Sequence, residues 1–314
     1  MMIERNNITS TDEWLAWRLD WINASEIPIV CGEAAYGSAA ELYAEKKGLR
    51  PPLMDSGIFR RGRWGEAAVF QALAEERPQW KVQRARVHVR DIEHRLACTP
   101  DGYAIRLDRD GIGVVQAKVI SRSIFRQRWL DFPDDDIDGP ATPPVSYQLQ
   151  TLTEMLLNET SWGVLAVLVN GEFDWRLRLF DIERDPILED RILQRTEAFW
   201  RDYLDANVMP PFEPLRDTEL ICRLYPKDDG TETDLTGDNR ALTLVEQWTE
   251  TSAARLRLEK TEAALKTELC GKLGDHTFGR LADGRRLSWK HQHRKAHTVA
   301  ASEFRVLRLH TPVE

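Results

Sequence analysis

The sequence predicts an α/β fold: a mixed sheet flanked by helices, with an added C-terminal helical and short-strand region. Three observations predict it. Two tight-turn signals, Asp108-Arg109-Asp110-Gly111 and Asn170-Gly171, each lie between apolar runs of strand length. Segments around them carry apolar residues every three or four positions, the period of one face of a helix. Finally, 314 residues with 42% hydrophobic and 30% charged side chains suffice for one large domain, or one domain with a smaller attachment.

The elements follow in order. Trp14, Trp17 and Trp21 are spaced by three and four after the polar start at Thr11, which predicts an amphipathic helix. Asn23 to Ile27 and Gly32 read as a turn feeding a short helix. Ala39 to Lys47 continues helical until Gly48, and Pro51 and Pro52 stop it. Gly62 to Ala74 reads as a helix carrying Glu66. Trp80 to Arg90 alternates Val82, Val87 and Val89 with charged neighbours and reads as a strand, blurred at Arg84-Ala85-Arg86.

Tyr103 to Leu107 and Ile112 to Val119 form the hairpin across residues 108–111. Its closure brings Asp101 near Gln116 and Lys118, and the separation of two sets Gln116 and Lys118 on one strand face. Residues 131–144 hold five aspartates and read as a solvated loop that could serve as a lid. Ser146 to Leu157 is helical, Gly163 to Val169 and Phe173 to Phe180 form the second hairpin, and Pro186 to Tyr203 is a helix with proline at its start. The texture changes near residue 215, dividing the chain into residues 1–215 and 216–314. The second part has a polar stretch, a long helix over Leu242 to Leu269, and short strands within 276–310 ending in Phe304, Val306 and Leu307 or Leu309.

Charge and cysteine content narrow the function. Forty-three Lys and Arg against 51 Asp and Glu give a net charge of −8, so any nucleic-acid surface is local rather than global. Arg285 to His297, with Arg286, Lys290, Arg294, Lys295 and Trp289, is one such patch. Lys46, Lys47, Arg50, Arg60, Arg61 and Arg63 make another, with an ordinary solvated helix face as the plain alternative. The four cysteines form no CxxC pair, which excludes a sequence-evident zinc site and fits a reducing setting. No apolar stretch has the length of a membrane span or the core of a signal peptide, so no membrane partner is expected. His291, His293 and His297 read as basic surface, and Asp134 to Asp136 lack the ligand spacing of a calcium loop.

Were residue 116 a glutamate, two carboxylates at the end of a hairpin, Asp101 and Glu at 116, could hold Mg²⁺ while the adjacent Lys118 steadies an attacking water and the metal neutralises charge on a phosphate. Glu66 could add an acidic contact. Those residue types alone are common on surfaces. Their order is more specific. Trp14-Leu-Ala-Trp-Arg18, Asn23-Ala-Ser25 and Arg61-Gly-Arg63-Trp-Gly-Glu66 resemble the N-terminal signature of the phage lambda exonuclease and YqaJ-type viral recombinase nucleases. Leu96-Ala-Cys-Thr-Pro-Asp101-Gly is similar to their aspartate motif, and Val114-Val-Gln116-Ala-Lys118 stands in the place of their E-x-K. Ser146-Tyr-Gln148-Leu-Gln150 resembles their Q-x-Q helix, and the blocks keep the family order over residues 11–205.

The resemblance implies a PD-(D/E)xK, restriction-endonuclease-like core. It implies Mg²⁺-dependent digestion of double-stranded DNA from 5′ ends, with Mn²⁺ as a substitute, to leave 3′ overhangs for single-strand-annealing recombination. It also implies a homotrimer around DNA, an annealing-protein partner, and the cytoplasm of a bacterial or phage-infected cell. By motif, Asp101, residue 116 and the Ala117 carbonyl would meet metal and Lys118 would orient the nucleophile. Glu66 would be the helix-borne acid, and Gln148 or Gln150 would orient substrate and water. Arg18 and Ser25 match a phosphate-binding region, with Arg61 and Arg63 toward the DNA.

Gln116 departs from the pattern. A carboxamide offers oxygen but no charge, and its NH₂ is a poor neighbour for a cation, so weak metal binding and slow or absent cutting are expected. Two histories fit: a naturally inactive DNA-end-binding adaptor, or a glutamate-to-glutamine exchange that traps DNA uncut. The intact remainder of the motif set favours the second.

Overall fold

A computed structural model describes residues 1–49, 57–132, 134–295, 301 and 303–310; Arg50, Pro51, Pro52 and His297 lie outside the described residues. In chain order the elements are β1 (Ile3–Asn7), α1 (Thr11–Asp20), β2 (Ile22–Asn23), α2 (Ile27–Val30), α3 (Ala39–Lys46), α4 (Gly57–Glu76), β3 (Lys81–Arg84), β4 (Val87–Asp91), β5 (Leu96–Cys98) and β6 (Gly102–Ile105). There follow β7 (Ile112–Ser121), α5 (Arg122–Arg128), α6 (Val145–Asn158), β8 (Trp162–Asn170), β9 (Trp175–Glu183), α7 (Pro186–Phe199), α8 (Thr218–Leu224), α9 (Asn239–Leu273), β10 (Phe278–Arg280) and β11 (Arg286–Ser288).

The principal sheet has the order β3-β6-β7-β8-β9. Its β7–β8 pair is parallel and the other pairs are antiparallel, so the sheet is mixed. Alternation along β7 and β8 explains the layers. Val115 and Ala117 of β7, with Val164, Ala166 and Leu168 of β8, pack with Val69, Phe70 and Leu73 of α4. The opposite parity, Ile120, Leu165, Val167 and Val169, packs with Phe125 and Trp129 around α5. The sheet is buried on both faces, which is why β8 reads as a continuous apolar run.

A second sheet, β1-β4-β5-β2, lies over the other side of α6. Leu149, Leu152 and Leu157 of α6 share a core with Ile22, Val89, Leu96 and Cys98 of that sheet and with Ile192 and Phe199 of α7. Helix α6 is therefore wrapped by protein, and seven of its last eight described positions are fully buried.

The chain divides into two compact units, Met1–Leu224 and Tyr225–Glu314. Leu220 of α8 packs with Ala40 and Ala44 of α3, and Ser38 donates to Asp217 at 2.5 Å. In the second unit, α9 runs for 35 residues from an Asp238 cap, and Leu273 at its end meets the β10–β11 hairpin at Gly279. Among the described residues no helix is long and apolar enough to cross a membrane.

Several sequence expectations change. Trp80 to Arg90 is two strands, not one: β3 joins the principal sheet and β4 the second, and Ala85 between them donates its N–H to the Asp101 carbonyl at 3.0 Å. The blurred alternation at Arg84-Ala85-Arg86 was that break. Helix α4 begins earlier, at Gly57, and α7 widens into a π turn over Trp200–Asp205. The aspartate-rich loop is solvated at most carboxylates, yet Ile137 is buried and the Arg178 guanidinium donates to the Ile137 and Gly139 carbonyls. Among the described residues of the tail only β10 and β11 are strands; Phe304, Val306, Leu307 and Leu309 are exposed and outside regular structure.

Candidate active site

The site starts from a backbone junction. Thr99-Pro100-Asp101 carries the chain from β5 of the second sheet to β6 of the principal one. Gly102, the next residue, pairs with Arg84 on one side and Val115 on the other. A Cβ there would lie 2.5 Å from the Gln83 carbonyl oxygen and 2.5 Å from Phe70 Cζ, so only glycine lets three elements meet at this level. Gly65 serves α4 similarly, since a Cβ would lie 2.7 Å from Val119 Cγ2; the close approach seats Glu66 beside the sheet.

Asp101 Oδ2 accepts the Ala117 N–H at 2.8 Å and a hydrogen bond from the Gln116 side-chain amide. Gln116 Oε1 in turn accepts from Gln150 Nε2 at 2.8 Å. The same Gln150 nitrogen donates to Glu154 Oε1 at 3.0 Å. Asp101, Gln116, Gln150 and Glu154 thus form one chain of contacts from strand to helix. Gln116 and Glu154 are each 1% exposed, and Glu154 Oε2 is buried with no hydrogen-bond partner among the described residues. Lys118, two residues along the same face of β7, lies 5.5 Å from the centre of the Tyr147 ring on α6. Gln148 turns elsewhere, donating to the Pro143 carbonyl at 2.6 Å, so Gln150 is the member of the Gln-x-Gln pair that reaches this network.

The electrostatics match that geometry. Burial pushes the Asp101 carboxyl up to about 6, the Lys118 charge opposing and the Glu66 charge adding to the rise. Burial also holds Glu154 well above the ordinary carboxylate range; the Asp101 charge adds to this, while the Gln150 hydrogen bond and Lys118 oppose it. Glu66 pairs with Arg84 at 2.6 Å. Arg61 and Arg63 are exposed on the N-terminal half of α4, Arg63 one turn before Glu66.

A second polar cluster forms where α1 meets the turn before α2. Arg18 Nη2 lies 3.2 Å from both Ser25 Oγ and Glu26 Oε1, so the two residues matched to a phosphate-binding region do meet. Lys46, almost fully buried, pairs with Glu26 Oε2 at 2.7 Å. His88 is buried nearby, held down to about 4 by burial and by the charges of Arg90, Arg18 and Lys46, and its Nε2 has no partner among the described residues. Thr99 Oγ1 joins this cluster to the first: it contacts His88 Nδ1 at 3.1 Å and accepts from Trp14 Nε1 at 3.0 Å, two residues before Asp101.

Asp91, Glu93 and His94 also bring potential metal-ligand atoms within 4.8 Å of one another. Their polar atoms are already engaged. Asp91 accepts from Met2 N and from His94, and Glu93 pairs with the N-terminal amine at 2.9 Å, so the cluster fastens the start of the chain to the β4 end.

Residues 13–161 match the YqaJ-like viral recombinase domain. The N-terminal half of the chain is similar to this family. Uncharacterized protein YqaJ of Bacillus subtilis strain 168 is 26% identical over 294 residues, spanning 88% of this chain and 83% of that protein. Among solved structures, an alkaline exonuclease from Laribacter hongkongensis is similar at 19% identity, covering 63% of this chain and 94% of its own, with a TM-score of 0.46. A phage-related exonuclease from Haemophilus somnus 129PT is similar at 11% identity, covering 60% and 96%, with a TM-score of 0.42.

The matched YqaJ-like segment contains Arg18, Ser25, Glu66, Asp101, Gln116, Lys118, Gln150 and Glu154. Asp101 and Glu154 offer hard carboxylate oxygens of the kind that suit a divalent cation, and one Glu154 oxygen lacks a partner among the described residues; from β7 it is the Gln116 amide and the Ala117 backbone N–H that face Asp101. Sequence reasoning missed Glu154, and it missed Arg84, Glu26, Lys46 and His88 as partners of the residues it named. The signal for Glu154 was its place one helical turn after Gln150; an acid inside an apolar helical face asks for a reason.

Proposed function

We propose that this YqaJ-like protein is a divalent-metal-dependent deoxyribonuclease that degrades double-stranded DNA from 5′ ends and leaves 3′ single-stranded overhangs for single-strand-annealing recombination. The observation that carries the reading is the gathering of Asp101, residue 116 and Lys118 on adjoining strands opposite Gln150 and Tyr147 of α6, in the order of the family motifs.

In this reading Asp101, the Gln116 oxygen and the Ala117 carbonyl hold Mg²⁺, or Mn²⁺ in its place. When bound, the ion supplies a more acidic water and neutralises charge on the scissile phosphate. Lys118 orients the attacking water, and Gln150 fixes the side chain at 116. Glu66, steadied by Arg84, bounds the pocket on the α4 side. Arg18 and Ser25 receive a 5′-terminal phosphate, Arg18 being charged and already oriented by Glu26. Arg61 and Arg63 face the duplex. A homotrimer enclosing DNA and an annealing-protein partner complete the proposal. The amide at 116 carries no charge, so a glutamate there would add an anionic donor to the strand and is expected to tighten metal binding and speed cutting.

Digestion of end-labelled duplex, in magnesium and in chelator, tests this with the protein and its Gln116→Glu variant. The expected result is metal-dependent release of 5′ label, faster in the variant. No cutting by either would overturn the nuclease reading, and duplex ends bound but uncut by both would replace it with a DNA-end-binding adaptor.

A further inference from the structure

We infer that Glu154 is the second acidic metal ligand of this site, doing from helix α6 what a carboxylate at position 116 would do from strand β7. The inference rests on the reading of Asp101 as a metal ligand and extends it to a residue outside the motif set.

Four contacts of its neighbours on α6 locate Glu154. Tyr147, Gln150 and Glu154 lie on one stripe of α6, and the first two meet Lys118 and Gln116 of β7. Moving down β7 from 118 to 116 is therefore moving up α6 from 147 to 150. One turn beyond Glu154, Asn158 accepts from the Tyr103 hydroxyl at 2.7 Å and donates to Cys98 Sγ at 3.4 Å. Cys98 and Tyr103 bracket Asp101 in the chain. Glu154 thus sits between the turn that touches Gln116 and the turn that touches both flanks of Asp101, and the two acids sense each other's charge.

Its chemistry is incomplete without a ligand. Glu154 is 1% exposed; Oε1 takes one hydrogen bond from Gln150, and Oε2 takes none. A buried carboxylate oxygen without a donor is costly and asks for an ion or a proton. With Gln116 neutral, a divalent ion at Asp101 lacks a second anionic ligand on the strand, and the acid able to supply it stands across one shared amide. Gln116 and Glu154 are then a compensated pair: the charge has moved from strand to helix, and the pocket keeps two carboxylates.

Calorimetric titration of Mn²⁺ into the full-length protein and into Asp101→Asn, Glu154→Gln and the double variant Gln116→Glu/Glu154→Gln separates the possibilities, with anomalous scattering from Mn²⁺-soaked wild-type crystals as a second measurement. Glu154→Gln keeps shape and an acceptor for Gln150, and is expected to weaken Mn²⁺ at least about tenfold. The double variant returns the charge to the strand and is expected to recover affinity. The anomalous peak is expected to touch both Asp101 and Glu154. Wild-type affinity in Glu154→Gln with loss in Asp101→Asn, or a peak at Asp101 beyond reach of Glu154, overturns the inference and leaves the metal reading standing. Failure of the wild-type protein to bind Mn²⁺, or indifference to Asp101→Asn, overturns the reading beneath it. If Glu154→Gln does not fold, the wild-type anomalous peak decides.

Discussion

The Gln116 side chain donates to the same Asp101 oxygen that accepts the Ala117 N–H. The amide nitrogen supplies the buried Asp101 carboxylate with a side-chain donor, and a cation held by Asp101 would have to compete with it. Replacing it with Glu turns a donor into a second anion against a buried carboxylate. In chelator, Gln116→Glu is expected to lose about 1–3 kcal/mol, the scale of one buried unsatisfied group. Millimolar Mg²⁺ should restore most of it. Thermal melts with and without metal measure both; equal stability in chelator would mean that the amide does not hold Asp101.

Asp101 also sets a pH dependence with a definite sign. Its carboxyl is raised from 3.8 to about 6 in the folded protein. Between those values the folded state keeps a proton that the unfolded state has lost, so this group's contribution is fully present below about pH 4 and disappears as pH rises through about 6. Metal competes with that proton, so Mn²⁺ affinity should climb with pH through the same range. Asp101→Asn should flatten the stability slope between about pH 4 and 6. Denaturant titrations across that window read it directly, and an unchanged slope in the variant would assign the titration elsewhere.

Much of this arrangement is legible in the sequence alone. The Asp108–Gly111 turn and the two-residue separation of Gln116 and Lys118 are local signals; they place Asp101, Gln116 and Lys118 together because a hairpin has few ways to close. Other parts depended on long-range packing. The break at Ala85 sends β3 and β4 to different sheets, and nothing within Trp80 to Arg90 says which partner each half will find. Gln148 and Gln150 look equivalent as a motif. Only the seating of α6 on β7 points Gln150 at Gln116 and leaves Gln148 on the Pro143 carbonyl. Glu154 depends on the same packing: its place one turn after Gln150 is visible in the sequence, but its meaning comes from the turn above and the turn below, which touch different strands.

Gly102 tests how tightly the junction is built. A methyl group there would press on the Gln83 carbonyl and the Phe70 ring, neither of which is a free side-chain end. Gly102→Ala is expected to cost about 1–3 kcal/mol, as overpacking in a close-packed interior does. Because the strain falls next to Asp101, it should also lower Mn²⁺ affinity more than a surface change of equal stability cost. Chemical denaturation together with metal titration separates the two effects. Native stability in the alanine variant would show that β3 and β6 can part without loss.

Arg18 offers the sharpest test of the second cluster. Its guanidinium meets Ser25 and Glu26 and lies 5.2 Å from the Trp14 ring centre, while Lys46 holds the other oxygen of Glu26. Removing Arg18 therefore leaves Glu26 paired, and the loss falls chiefly on whatever the guanidinium binds. If that is a terminal phosphate, Arg18→Ala should lower the rate on 5′-phosphorylated duplex by about 10- to 100-fold, the worth of a charged hydrogen bond of about 1.5–3 kcal/mol. Duplex ending in a 5′-hydroxyl should be cut almost as before. Side-by-side digestion of the two substrates gives the ratio, and equal losses on both would return Arg18 to a purely structural place between α1 and Glu26.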